Sequence, residues 1–301
     1  MSVDTASSQA INLAIPTSRP ARSLFSDAWR RLLSSWNGRV GLVITGLIIL
    51  IGLLAPIVNP YDPTIDSNLA DSRAVPSLDH PFGADRLGRD IFRRIIHGTR
   101  ISLTIGFVVV FFSGSVGVVL GLAAGYFGKG VDSLIMRLMD ILLAFPAILL
   151  AIAIVAVRGA SLTNTILAVA IVGVPGYARV VRSVVLSVRE RDYVEAARMI
   201  GVRDIRIMFL HILPNSLSPI IVQVTLGVGG AILFAAALGF LGLGAQPPAP
   251  EWGAMIADGT PFLRQSPHMV LFPGLAIMFT VLGFNLLGDG LRDALDPQLR
   301  D

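Results

Sequence analysis

The sequence predicts an all-α integral membrane protein with six transmembrane helices, and three observations carry that prediction. Apolar residues make up 53% of the 301 and charged residues only 15%, against about a quarter charged in a soluble domain. Mean hydropathy is +0.72. The apolar runs approach or exceed the ~20 residues a spanning helix needs. The chain has no cysteine, so neither a disulfide framework nor a thiolate metal site is available. A formal charge of +4 with pI ≈ 10.1 could also suit nucleic acid. The arginines, however, flank apolar runs, so membrane orientation accounts for them better and no nucleic-acid partner is expected.

A polar, Ser-rich stretch to about residue 21 is expected to be disordered. Between Arg22 and Gly38, Phe25, Trp29, Leu32, Leu33 and Trp36 recur at helical spacing with Arg30 and Arg31 opposite. That pattern predicts an interfacial helix with tryptophans at headgroup level, making residues 1–38 an N-terminal tail. Val40 to Val58 is the first span. With 39 residues before it and no small-x-small pattern after it, it does not read as a cleaved signal peptide. Residues 59–98 complete a second region of span plus loop, and 99–301 form the transmembrane core. In the loop, the order of Gly and charge from His80 to Phe92 exceeds that of a linker. Acidic and basic residues alternate there, so His80, Asp85 and Asp90 are expected to satisfy their neighbours rather than hold a metal.

The second span, Ile101 to Tyr126, carries Gly117, Gly121 and Gly125 at four-residue intervals. This small-xxx-small face marks close packing against another helix. The third, about Leu134 to Val157, contains Phe145-Pro146, which invites a kink. Near one end of it Arg137 and Asp140 are expected to pair across one helical turn. The fourth, about Leu162 to Val188, holds Pro175-Gly176 and delivers Arg179, Arg182 and Arg189 to the following loop. The fifth, Ser218 to about Leu243, shows Ala231, Ala235 and Gly239 on one face. The sixth runs from Met269 to Leu287 and is followed by a short charged tail. Gln223, Thr225 and Asn285 are polar positions inside spans; lining a path and bonding a neighbouring helix remain equally open for each.

The longest charged interruption between the later spans runs from Arg191 to Asn215. Tyr193, Ala196, Ala197 and Ile200 are spaced i, i+3, i+4, i+7, and Ile205, Met208, Phe209 and Ile212 repeat the spacing. Two short amphipathic helices broken at Gly201 are expected. Asp192 caps the first, Gly201 supplies the turn and Pro214 ends the second. In a membrane chain their apolar faces must meet headgroups or another protein.

Glu195-Ala196-Ala197, then Gly201, then Ile212-Leu213-Pro214, resembles the EAA loop of bacterial ABC importer permeases. His211 stands where the general pattern has isoleucine, and the His-Ile-Leu-Pro-Asn form is similar to the dipeptide and oligopeptide branch, C-type subunit. The segments around 80–92, 246–253 and 288–297 look like the same branch. The resemblance implies an ABC permease fold whose Asp192, Tyr193, Glu195, Ala196, Ala197, Gly201, Ile212, Leu213 and Pro214 form a coupling loop against a cytoplasmic ATPase. It also implies a homologous permease partner, two ATPase subunits and an external binding protein. The cargo could be dipeptides, oligopeptides, glutathione or a nickel chelate, and no residue assigns a substrate site.

With the N-terminus inside, sixteen Arg and Lys fall on inner segments and eight on outer ones. This agrees with the positive-inside rule and places the loop and both termini on the cytoplasmic side; the resemblance implies that the membrane is the bacterial inner membrane. No phosphate-cradling loop is present: the nearest stretch has Ala123 for the first glycine and Gly130 for the hydroxyl. H-E-x-x-H and G-x-S-x-G are also missing, so no enzyme activity, cofactor or metal is expected. An ATP-independent secondary transporter would want paired midplane charges or an inverted repeat, and a scaffold is favoured by the small-residue faces alone.

Overall fold

The computed structural model describes residues 24–58, 60–62 and 66–296, and apart from one bridge between Ala84 and Asp90 their regular structure is helical. The expectations for residues 1–21 and for the chain after Asp296 lie outside those residues. Helix α1 (Leu24–Ser34) meets α2 (Trp36–Val58) at Ser35. The Ser35 hydroxyl accepts from the Gly38 amide and donates to Leu32 O. Leu32 is buried while Trp29 and Trp36 are exposed, the arrangement of an interfacial helix.

The central element is α3 (Ile91–Phe127), 37 residues and so about 55 Å long. It starts on a genuine cap, the Asp90 carboxylate accepting from Arg93 N at 2.9 Å. Against it lies α6 (Leu162–Val188). A methyl on Gly117 would sit 2.4 Å from Tyr177 Cβ, on Gly121 2.6 Å from Ala178 O, and on Gly125 2.7 Å from Val185 Cβ. The helix backbones touch because those side chains are absent.

Between them in sequence, α4 (Lys129–Ala144) and α5 (Ala147–Arg158) form a pair bent by 87° at Phe145-Pro146. The break falls at the Phe145-Pro146 expected to kink the third span, and at 87° it divides that segment into two helices. Proline cannot donate and forces the preceding residue to be extended; Phe145 accordingly has ψ 137° and the helix restarts at Ala147. Five helices are individually long and apolar enough to cross a membrane, and six if the bent pair counts as one. A correction concerns Asp140, which accepts from Arg179 at 2.6 Å rather than pairing with Arg137. Arg182 grips Asp132 through two bonds of 2.5 and 2.6 Å. Because α4 and α6 run antiparallel, their charges match across the gap. A pair within one exposed helix is worth only ~0.3–0.5 kcal/mol.

The remaining spans are α9 (Leu217–Phe240) and α11 (His268–Leu295), with α10 (Trp252–Gly259) between them. At the α10 end of the bundle, Asp85 holds the buried Arg89 and Arg94, and His80 Nδ1 lies 2.9 Å from Asp90. The Arg73 guanidinium lies 5.2 Å from the Phe262 ring centroid and bonds Gln265, tying this layer to the 260–267 segment.

Glu251 caps α10, accepting from Gly253 N and Ala254 N at 2.8 Å. It is buried, and a Cβ on Gly239 would fall 2.1 Å from its Oε2. Burial pushes its carboxyl above the ordinary 4.5, outweighing the two amide bonds. The folded form therefore keeps a proton that the unfolded form has lost. Stability is highest below pH 4.5 and falls as pH rises through the window up to the folded value. Melting curves across pH should show that decline in the natural chain and lose it in Glu251→Gln.

A second expected outcome tests the glycine contact. Gly121→Leu should lower stability by about 1–3 kcal/mol through overpacking and reduce the melting temperature, whereas Gly130→Ala, whose added methyl meets nothing within 4 Å, should not.

Candidate coupling site

The loop after α6 folds onto the exposed ends of α3 and α6. Helix α7 (Asp192–Met199) is followed by Gly201 at φ +76°, a one-turn helix α8 (Asp204–Arg206) and a π-helical segment Ile207–Ile212. Only glycine adopts that φ without strain, so the chain reverses there. The cap of α7 is Arg191, which makes no side-chain bond to it, and Asp192 is its first residue. Its carboxylate still favours the positive helix end, but the expected Asp192 cap is not formed. Pro214 likewise opens a single 3-10 turn leading into α9 instead of ending a helix, because at a first helical position its missing N–H costs nothing.

Inward, Val194 and Ala197 of α7 join Ile207, Met208 and Ile212 over Leu122, Tyr126, Val181, Val185 and Val188. Of the apolar face foreseen on α7, Ala197 thus turns inward while Tyr193, Ala196 and Ile200 stay exposed. In the second half Ile205 and Phe209 also point out. The π-helix is the reason: Leu213 N bonds Met208 O, i to i+5, so Ile207 and Ile212 face the bundle together instead of following a 3.6 period.

Polar contacts fasten this seat. Tyr126 donates to Asp204 Oδ1 at 2.5 Å, the Arg198 guanidinium sits 4.9 Å from the Tyr126 ring centroid, and Arg189 Nη1 donates to Gly125 O at 2.8 Å. The loop is therefore bonded to the last turn of α3, whose carbonyls attract cations. Outward it presents Met199 at 84%, Ile200 at 80% and Ile205 at 71% exposure. Glu195 is exposed beside them, and its carboxylate has no ion pair among the described residues. Leu213 is half-buried behind Ile212. An apolar ridge with one free carboxylate, held on a rigid base, is chemistry for docking.

The family model described as binding-protein-dependent transport system inner membrane component matches residues 117–301. The chain belongs to that family. A second model, the N-terminal TM domain of oligopeptide transport permease C, matches residues 23–76. The permease is 53% identical over 282 residues to the dipeptide transport system permease protein of Alkalihalophilus pseudofirmus, covering 93% of this chain and 92% of that one. It is 46% identical over 288 residues to the glutathione transport system permease protein of Pectobacterium atrosepticum, covering 96% of each. The same identity over 286 residues relates it to the di/tripeptide transport system permease protein of Pseudomonas aeruginosa, covering 93% and 94%. A chain of the MetNI methionine ABC transporter, in an inward-facing form, superposes with TM-score 0.56 at 18% identity over 68% of this chain and 98% of that one. That likeness concerns the fold. The permease is thus a multi-pass inner-membrane subunit of an ABC importer and not an enzyme, and its family works with ATPase and substrate-binding subunits.

Val194, Tyr126 and Asp204 were not anticipated from the sequence. A tyrosine in the last turn of a span reads as a headgroup anchor, and only the fold shows Asp204 above it. Tyr126→Phe removes one hydrogen bond to a charged acceptor, worth about 1.5–3 kcal/mol locally. Hydrogen exchange of the 192–206 amides should speed up by roughly ten- to a hundredfold while the spans keep their protection.

Proposed function

We propose that this permease is one half of a translocation pathway that carries dipeptides and short peptides into the bacterial cytoplasm. It pairs with a homologous permease, and the loop from Asp192 to Pro214 docks on one of two ATPase subunits. The exposed ridge of Tyr193, Met199, Ile200 and Ile205 above a bonded base carries this reading. On the sequence-based orientation, that ridge and both termini lie on the cytoplasmic side. Glu195 makes the polar contact at the ATPase groove, Ala196 permits close approach, Ala197 fixes α7 to its seat and Gly201 sets the angle of the following segment. The pathway runs among lipid, with an external binding protein delivering cargo at the far end.

Coupling requires that the two conformations contact the ATPase differently. The loop meets this need because α7 rests on α3 and α6 together: a displacement of the loop moves the ends of both helices at once. Relatives named for dipeptides and for di/tripeptides support a peptide cargo. Relatives named for glutathione support that tripeptide as the second reading.

The complex in lipid vesicles, with partner permease, ATPases and binding protein, tests this. Ile200→Asp and Gly201→Val should each cut peptide-stimulated ATP hydrolysis at least tenfold or release the ATPase, with the spans still folded. Normal hydrolysis and uptake in both would leave the loop a surface feature. Competition of labelled dipeptide uptake by glutathione separates the two cargo readings.

A further inference from the structure

Two cavities of this permease share a wall. One of about 220 Å³ lies between the middles of α3, α6 and α9, bounded by Ser113, Gly173, Tyr177, Gln223, Gly227 and Gly230. Another of about 390 Å³ opens at the α7 end of the bundle between Val180, Ser218 and Pro219, with Arg292 and Asp296 at its rim. Gln223 borders both. On α6 the walls are formed by Gly173, Tyr177 and Val180, and on α9 by Pro219, Gln223, Gly227 and Gly230, each set at three- or four-residue spacing and so on one helix face. The two cavities are thus successive parts of one groove, running from mid-span to the α7 end.

We propose that this groove is the permease's wall of the translocation path, and that Gln223 hydrogen-bonds the amide backbone of a passing peptide. The proposal rests on the peptide-importer reading above. Gln223 carries two N–H donors and a carbonyl but makes no side-chain hydrogen bond among the described residues. Facing hydrocarbon, an unpaired amide is heavily penalised, so the groove holds water or cargo instead of lipid. One turn from Gln223, Gly227 leaves room for the Tyr177 hydroxyl, since a Cβ there would fall 2.0 Å from that oxygen. Ser113, whose hydroxyl donates to Val109 O, lines the same cavity. Hydroxyl and amide therefore line the groove at neighbouring levels.

The mid-span lining carries no charged side chain. Neutral donors and acceptors can exchange bonds with peptide amides of any sequence without trapping a charged terminus. A larger cavity of about 730 Å³ gives the contrast. Phe107, Phe111, Leu217, Val224 and Phe284 line it, a surface that acyl chains satisfy and a peptide does not.

The absence of cysteine from the chain allows a direct test in the full complex in lipid vesicles. Single cysteines at Gln223 and Gly230 are treated with a charged, membrane-impermeant thiol reagent, with and without nucleotide. Both positions should react in at least one state, while Gly46→Cys, on an open face of α2 with nothing within 4 Å of the added atom, should not. In parallel, Gln223→Leu should lower alanyl-alanine taken up per ATP hydrolysed by tenfold or more. Gln223→Asn should restore part of the uptake. Gly230→Leu, whose side chain enters open space, should block uptake while the complex stays assembled.

Cysteines unreactive in every state would overturn the path. Unchanged uptake per ATP in Gln223→Leu would overturn the amide contact. If the unaltered complex takes up no dipeptide, the cargo reading falls and the peptide contact with it, while labelling still decides whether the groove is a path.

Discussion

The architecture depends on the contact between α3 and α6, where three glycines let two helix backbones touch. In hydrocarbon no hydrophobic force drives helices together, so association rests on close van der Waals contact and interhelical bonds. Gly117, Gly121 and Gly125 supply the first along three successive turns, reaching the level of Val185 near the end of α6. Each end of this pair then carries a different layer. At one end the last turns of α3 and α6 make the apolar floor under Val194, Ala197, Ile207 and Ile212. At the other, α3 begins on the Asp90 cap, and the Trp252 indole of α10 donates to Ile95 O.

Spans, small-residue faces and the break at Gly201 were legible in the sequence because each rests on a local period or on one residue's special backbone. Gly201 needed only its own φ. Features set by a partner in another helix were not legible. Asp140 and Arg137 are three apart and look paired, but Arg179 comes from a helix thirty-nine positions on. The sequence likewise carries Ile205, Met208, Phe209 and Ile212 at α-helical spacing while the backbone takes i+5 bonds. The bundle below selects Ile207 and Ile212 together, and tertiary packing overrides the local period. Phe145-Pro146 was recognised as a weak point, but the 87° bend reflects partners on another helix. Asp140 and Asp132 of α4 pair with Arg179 and Arg182 toward the end of α6, while Ala151 and Val155 of α5 pack with Ala168 and Val169 nearer its start.

Polarity is distributed by depth in a way that fits a pathway for neutral amides. Charged pairs lie toward the two ends: Asp85 with Arg89 and Arg94 at one, Asp132 and Asp140 with Arg182 and Arg179 toward the other. Between them the proposed groove offers hydroxyls, an amide and glycine backbone. A charge at the midplane would be costly to keep and would hold oppositely charged cargo. Neutral groups avoid both penalties, and selection can then be made by the binding protein before cargo enters.

The coupling loop and the groove share α6 and the start of α9, and this shared support links the two proposals mechanically. Val181, Val185 and Val188 face the loop, while Gly173, Tyr177 and Val180 of the same helix face the groove. The π-helical segment passes through one 3-10 turn into α9, where Pro219 and Gln223 follow within two turns. A shift of the loop against the ATPase would therefore move both walls of the groove without an intervening flexible joint. Packed cores switch between discrete arrangements and do not deform continuously. On the proposed coupling, the loop's attachment through Tyr126, Asp204 and Arg189 is what would let a displacement at the surface change the width of a cleft inside the membrane.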